Sequence, residues 1–306
     1  MGAYVTIPQM PSRSIVQATL VVTLLFSVVS VSIGCGEGDS TSAAAAEAVP
    51  RANVDRFDGD AAYRLVEMQV DLGPRPAGSA AARRLAARLR RKLPGGRFQE
   101  VGDGLRNVVG RVPGRDRSRT VIVAAHYDTK DIPGFVGAND GASGTAVVAQ
   151  LAETIEPRTL DPSLVFLFFD GEEAPAGAPD AEFERYGLRG SKAVAPRYRD
   201  AEAMVLLDFV GERGLRIPYE GYSDQRLWQR LRRAARKVGV GKVFPAREQS
   251  AILDDHLPFA REGVPSIDLI DFDFPCWHLR CDDLSRISVR SLDATGETVL
   301  QLLRTL

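Results

Sequence analysis

Charge of one sign, histidine, cysteine and long apolar runs are all scarce in this chain of 306 residues. Lys and Arg number 39 against 40 Asp and Glu, and they are spread rather than grouped, so there is no electrostatic footprint for a polyanion. RNA-binding and zinc-finger spacings are also missing, which excludes nucleic acid as a partner. There is no internal repeat, which argues against a solenoid or a propeller.

One apolar run is long. Residues 15–34, "IVQATLVVTLLFSVVSVSIG", follow Arg13 and lead into "CGEGD", and the segment 1–35 reads as an export signal. Cys35, after a small residue and before a Gly, Ser and Ala-rich acidic tract, resembles the lipidated first residue of a bacterial lipoprotein, although Ser32 stands where Leu is usual. Simple secretion and an uncleaved anchor are the other readings, since about 20 apolar residues also just span a bilayer. All three place the rest of the chain outside the cytoplasm, as a cell-envelope lipoprotein or a secreted protein. Of the three cysteines only Cys276 and Cys281 then remain, flanking Trp277 and His278. An exported chain permits a disulfide between them, and two unpaired thiols are the alternative.

Residues 36–52 have too little apolar content to pack and read as a flexible linker, leaving 53–306 as the catalytic domain. Helical spacing runs through "DAAYRLVEMQVDLG" and "SAAARRLAARLRRKL", on either side of the turn "LGPRPAGS", and recurs at about 142–156, 190–197, 223–238 and 288–305. "LRNVVGRV", "TVIVAA", "SLVFLFF", "AMVLLD" and "PSIDLI" read as strands, several of them apolar on both faces. Strands alternating with helices predict an α/β domain around a mostly parallel mixed sheet.

Ligands bind at the carboxyl ends of such strands. "TVIVAA" ends on His126 and Asp128, "SLVFLFF" on Asp170, Glu172 and Glu173, and "AMVLL" on Asp208. "GANDGASG" adds Asp140, while "DDHLPF" and "WHLRCDD" add Asp254, His256 and His278. A single Asp after a strand is ordinarily a turn or cap residue. Here, however, each of the chain's three histidines sits in an acid-rich motif. Carboxylates brought together either take up protons or gather round a cation. Mixed Asp, Glu and His donors suit zinc with one coordination position open. The adjacent Glu172 and Glu173 cannot point the same way, so one can bind metal while the other faces substrate as acid or base.

"HYDTK", "GANDGASG", "FFDGEEA", "LLDFVG", "DDHLPFAREGVP" and "FPCWH" occur in the same order as in the zinc-dependent aminopeptidase-type exopeptidases. From about residue 60 onward the chain resembles most closely their offshoot, the animal-type glutaminyl cyclases. The resemblance implies a central twisted mixed sheet and zinc on Asp140, Glu173 and His278. If the chain is a cyclase it implies one zinc, with Glu172 moving the proton, Asp208 and Asp254 in a hydrogen-bonded network, and Trp277 lining the glutamine pocket. If it is an aminopeptidase it implies two, the second on His126, Asp140 and Asp208. In both, Asp128 and His256 support the site from behind, and peptide N-termini are the substrates. Lys130, Asp254 and Trp277 follow the cyclase pattern, whereas "GLRGS" and "GANDGASG" are peptidase-like and the cyclase's Trp after the Glu pair is missing. A lipid-anchored peptide-binding protein without catalysis is the third reading.

Overall fold

In the computed structural model, which describes residues 48–306, the apolar runs are strands. They are β1 (Arg97–Gly102), β2 (Leu105–Val112), β3 (Asp116–His126), β4 (Pro162–Phe169), β5 (Ala203–Leu207) and β6 (Ser266–Leu269). Together they form one sheet in the order β1-β2-β4-β3-β5-β6. β1/β2 and β2/β4 are antiparallel, whereas β3/β4, β3/β5 and β5/β6 are parallel, as the sequence leads one to expect of a mostly parallel mixed sheet. The export signal, Cys35 and most of the linker lie outside the described residues. Among those described, no helix is long and apolar enough to cross a membrane.

The helices are α1 (Gly59–Val70), α2 (Ala80–Lys92), α3 (Ala142–Thr154), α4 (Phe183–Tyr186), α5 (Arg189–Val194), α6 (Gln225–Lys237), α7 (His256–Arg261) and α8 (Val289–Leu303). Side-chain caps start α1, α2 and α6: Asp58, Ser79 and Asp224 accept from the amides of Ala61, Ala82 and Leu227. Alternation along the strands then sorts the core. Val121, Val123, Leu164, Phe166, Phe168, Val205 and Leu207 pack under α1, α2, α3, α6 and α8. Ile122, Val165, Leu167, Phe169, Met204 and Leu206 face the other way, toward Val194, Phe259 and Val264 around α5 and α7. Each fully buried Phe or Leu contributes about 1.5–3 kcal/mol, so the sheet's two-sided burial fixes its register.

The sheet's two margins differ. β1 is mostly exposed or half-buried, with a register irregularity between Glu100 and Gly102. β6 is buried, and its backbone is engaged by a loop: the Asp224 amide donates to the Ser266 carbonyl (2.7 Å), and the Asp268 amide to Ser223 Oγ (3.0 Å).

Candidate metal centre

Because β3, β4 and β5 are parallel and β3 pairs His126 with Phe169 of β4, their carboxyl ends share one edge of the sheet. His126 closes β3, Asp208 follows β5, and Glu172 and Glu173 lie just beyond β4. Asp140 comes from the turn before α3, and His278 from the loop after β6.

Two groups form there, sharing Asp140. His278 Nε2 stands 3.1 Å from Glu173 Oε1 and 3.5 Å from Asp140 Oδ2. His126 Nε2 stands 3.3 Å from Asp208 Oδ1 and 3.4 Å from Asp140 Oδ1. Donors about 2.1 Å from one ion at tetrahedral angles stand about 3.4 Å apart. Both sets therefore have the spacing of metal ligands, and each could hold one ion. Asp140 Oδ2 is buried without a hydrogen-bond partner, which is how a donor atom looks when the group it serves is a cation. The His126 set is closed off, with all three residues buried, whereas the His278 side chain is 24% exposed.

Two carboxylates set this geometry from behind. Asp128 accepts from the amides of Glu172 and Glu173, both at 3.2 Å, so it orients the loop carrying the Glu pair. Asp282 accepts from the amides of Asn139 (2.7 Å) and Asp140 (3.0 Å) and does the same for the Asp140 turn. Asn139 Oδ1 in turn accepts from the Gly211 amide, tying that turn to the chain after Asp208. Gly141 is required here: its φ is +84°, and a Cβ would lie 2.6 Å from the Asp128 carbonyl oxygen. The fully buried Arg75 donates to the carbonyls of Gln69, Gly73, Val136 and Gly137, and burial lowers its pKa to about 10. Asp170, by contrast, accepts from the amides of Gly78 and Arg106 and belongs to neither group.

The two glutamates are shifted in opposite directions. Burial opposes ionisation of Glu173, yet His278 and Lys130, whose Nζ is 3.1 Å away, hold its pKa below the ordinary range. Burial and then the Glu173 charge push Glu172 well above it. Its Oε2 lies 3.9 Å from His126 Nδ1. Asp140 is likewise pushed well up, by burial and then Glu173. Burial favours the neutral ring of His126, yet Asp208 and Asp128 hold its pKa well above the ordinary range. A cation satisfies this arrangement better than protons do, because it can be shared by both carboxylates and the ring.

Beside the metal groups lies a buried acid cluster. Burial and then Asp208 raise Asp254 to about 7, and its Oδ2 lacks a partner. His256 does not reach either metal group: its Nε2 stands 3.1 Å from Glu220 Oε2 and its Nδ1 3.9 Å from Asp268 Oδ2, all of them buried. Trp277 is 44% exposed, 4.5 Å from the His278 ring centroid and 4.9 Å from that of Phe272. Sequence reasoning missed Arg75, Glu220, Asp268 and Asp282. An acid inside an apolar strand, as in "SIDLI", could have marked Asp268.

The model of peptidase family M28 matches residues 107–303. Glutaminyl-peptide cyclotransferase of Drosophila melanogaster is 31% identical over 57% of this chain, which spans 58% of that relative's length. A leucine aminopeptidase precursor from Bacteroides thetaiotaomicron superposes with a TM-score of 0.76 at 28% identity, covering 83% of this chain and 99% of that one. Glutaminyl cyclase from Tannerella forsythia gives 0.73 at 30% identity, covering 82% and 99%.

Proposed function

The chain belongs to peptidase family M28, and from that premise we propose that it is a zinc-dependent glutaminyl cyclase, converting the N-terminal Gln of peptides to pyroglutamate with release of ammonia. The observation that carries this reading is Trp277: an exposed ring set against a metal-ligand histidine is a wall on which a glutamine side chain can fold back toward its own amine. The names of the Drosophila relative and of the Tannerella structure support the same activity.

Asp140, Glu173 and His278 would hold the ion. A zinc ion bound there supplies Lewis-acid polarisation of the γ-carboxamide. The substrate's α-amine attacks the amide carbon, a C–N bond forms, and the side-chain nitrogen leaves as ammonia. Glu172, with its raised proton affinity, takes the amine's proton and passes it to the leaving nitrogen. Asp254 and Asp208 stand in the buried acid cluster beside this proton transfer. Trp277 orients the chain end and keeps water off the reacting carbon, a positioning effect that intramolecular reactions reward strongly.

One observation favours a second reading. The His126, Asp140 and Asp208 set has the same ligand spacing, and a second ion there is the aminopeptidase arrangement, with Glu172 as base for an attacking water. Incubation of the purified protein with a Gln-peptide and a Leu-peptide separates the two: ammonia release without Leu release is expected. Leu release without ammonia would replace the cyclase by the peptidase, and neither product from zinc-loaded protein would leave a binding protein. We also propose export, with a diacylglyceryl group on Cys35, on the strength of the apolar run and the junction that follows it.

A further inference from the structure

The Cys276–Cys281 pair is bonded, closing a loop with a sequence separation of 5 around His278. His278 has φ +53°, a left-handed backbone that non-glycine residues adopt only when their surroundings enforce it. Burial does not enforce it here. Trp277 is 44% exposed and Leu279 53%. The loop is held at its two ends and by two contacts between them, Arg280 Nε donating to the Pro133 carbonyl (2.8 Å) and the His278 ring edge-on to Phe135. Cys276 is buried in an apolar cluster with Phe209, Ile270 and Phe274. Cys281, the more exposed cysteine, precedes Asp282, whose carboxylate grips the amides of Asn139 and Asp140. Within the loop, the Leu279 amide donates to the Cys276 carbonyl (2.9 Å) and the Asp282 amide to the Leu279 carbonyl (3.0 Å).

We propose that the Cys276–Cys281 disulfide is a redox latch on the metal centre. Closed, it fixes the ligand His278 and, through Asp282, the turn carrying the ligand Asp140; opened by a dithiol reductant, it loosens both. The latch rests on the reading that Asp140, Glu173 and His278 bind zinc. So short a loop gains little from closure entropy, so the bond acts locally rather than on the whole fold. In the opening step a thiolate of the reductant attacks the Cys281 sulfur. The Cys276–Cys281 bond breaks, a mixed disulfide forms, and the reductant's second thiolate displaces Cys281. Two electrons pass to the protein, two protons from solvent leave both cysteines as thiols, and the reductant ends as its own disulfide.

The test measures zinc affinity of the full chain by competition with a chromogenic chelator in four forms. These are the oxidised protein, the protein reduced by a dithiol that is then removed anaerobically, the Cys276→Ala/Cys281→Ser variant, and His278→Ala. Amide hydrogen exchange of the metal-free forms is followed in parallel. The reduced protein and the double variant are expected to bind zinc about 10- to 100-fold more weakly, the range seen when a ligand's supporting contacts are lost. Exchange should quicken over 276–282 and 137–141 but not in β3 and β4, and reoxidation should restore affinity. If His278→Ala lowers affinity while reduction and the double variant leave it unchanged, the latch is wrong and the metal assignment stands. If His278→Ala changes nothing, the metal assignment falls and the latch with it.

Discussion

Asp282 holds Asp140 by its backbone, its Oδ2 accepting the Asp140 amide at 3.0 Å while its Oδ1 takes the neighbouring amide of Asn139. Asp282→Asn keeps the shape but turns one acceptor into an NH₂ group facing an N–H. Loss of that hydrogen bond should cost about 1–3 kcal/mol of stability. Zinc affinity should fall about 10- to 100-fold, measured by chelator competition. Unchanged affinity would mean that the turn carrying Asp140 is held without this carboxylate.

Glu172→Gln keeps size and hydrogen-bonding shape but cannot accept the amine's proton. Turnover of a Gln-peptide should drop by about 100- to 10,000-fold. Zinc content, measured by metal analysis, should stay at the wild-type level. A variant that loses its metal and keeps activity in proportion would reverse the roles of Glu172 and Glu173.

Trp277→Leu should remove most Gln-peptide turnover while zinc and fold are retained, because the ring is exposed and adds little to the core. Steady-state kinetics with circular dichroism and metal analysis read all three. Wild-type turnover in the variant would reduce Trp277 to a packing residue of the loop and withdraw the main support for the cyclase reading.

Asp271 gives a pH effect outside the ligand set. Its Oδ2 accepts the Arg216 amide at 2.7 Å, and burial raises its pKa to about 7. The folded protein therefore keeps this proton up to about pH 7, while the unfolded chain releases it near about pH 4. The folded state binds more protons between those values, so this group's contribution is fully present below about pH 4 and is lost as pH rises toward 7. Asp271→Asn mimics the neutral acid and still accepts from Arg216. Urea unfolding should show its advantage over wild type growing from about pH 4 to 7, and parallel curves would contradict the shift.

Strands β3 to β5 were legible because each is an apolar run that ends on polar residues, and that same feature exposed His126, Glu172, Glu173 and Asp208. β1 was not: "RFQEVG" lies at a margin and buries none of its residues fully, so it has no apolar signature, only the Gly102–Gly104 turn that pairs it with β2. α7 was missed because its six residues include Pro258, which reads as a break in a helical pattern. Asp282 was hidden beside Asp283, since nothing local says which of two adjacent acids turns inward. Glu220 and His256 meet only through tertiary packing of a loop against the start of α7, distant in sequence. The disulfide stayed open in the sequence because a Cα separation of 5.4 Å is a property of the folded loop.

The two margins of the sheet bear on how molecules of this protein behave when crowded together. Strand addition between copies needs a row of unused backbone donors and acceptors. At β6 the loop through Ser223 and Asp224 already occupies backbone groups of Ser266 and Asp268. At β1 the exposed Arg97 and Glu100 and the irregular register beyond Glu100 make a poor template for an incoming strand. Concentrated solutions of the folded domain should therefore resist sheet-to-sheet polymerisation, and any self-association has to go through side-chain surfaces.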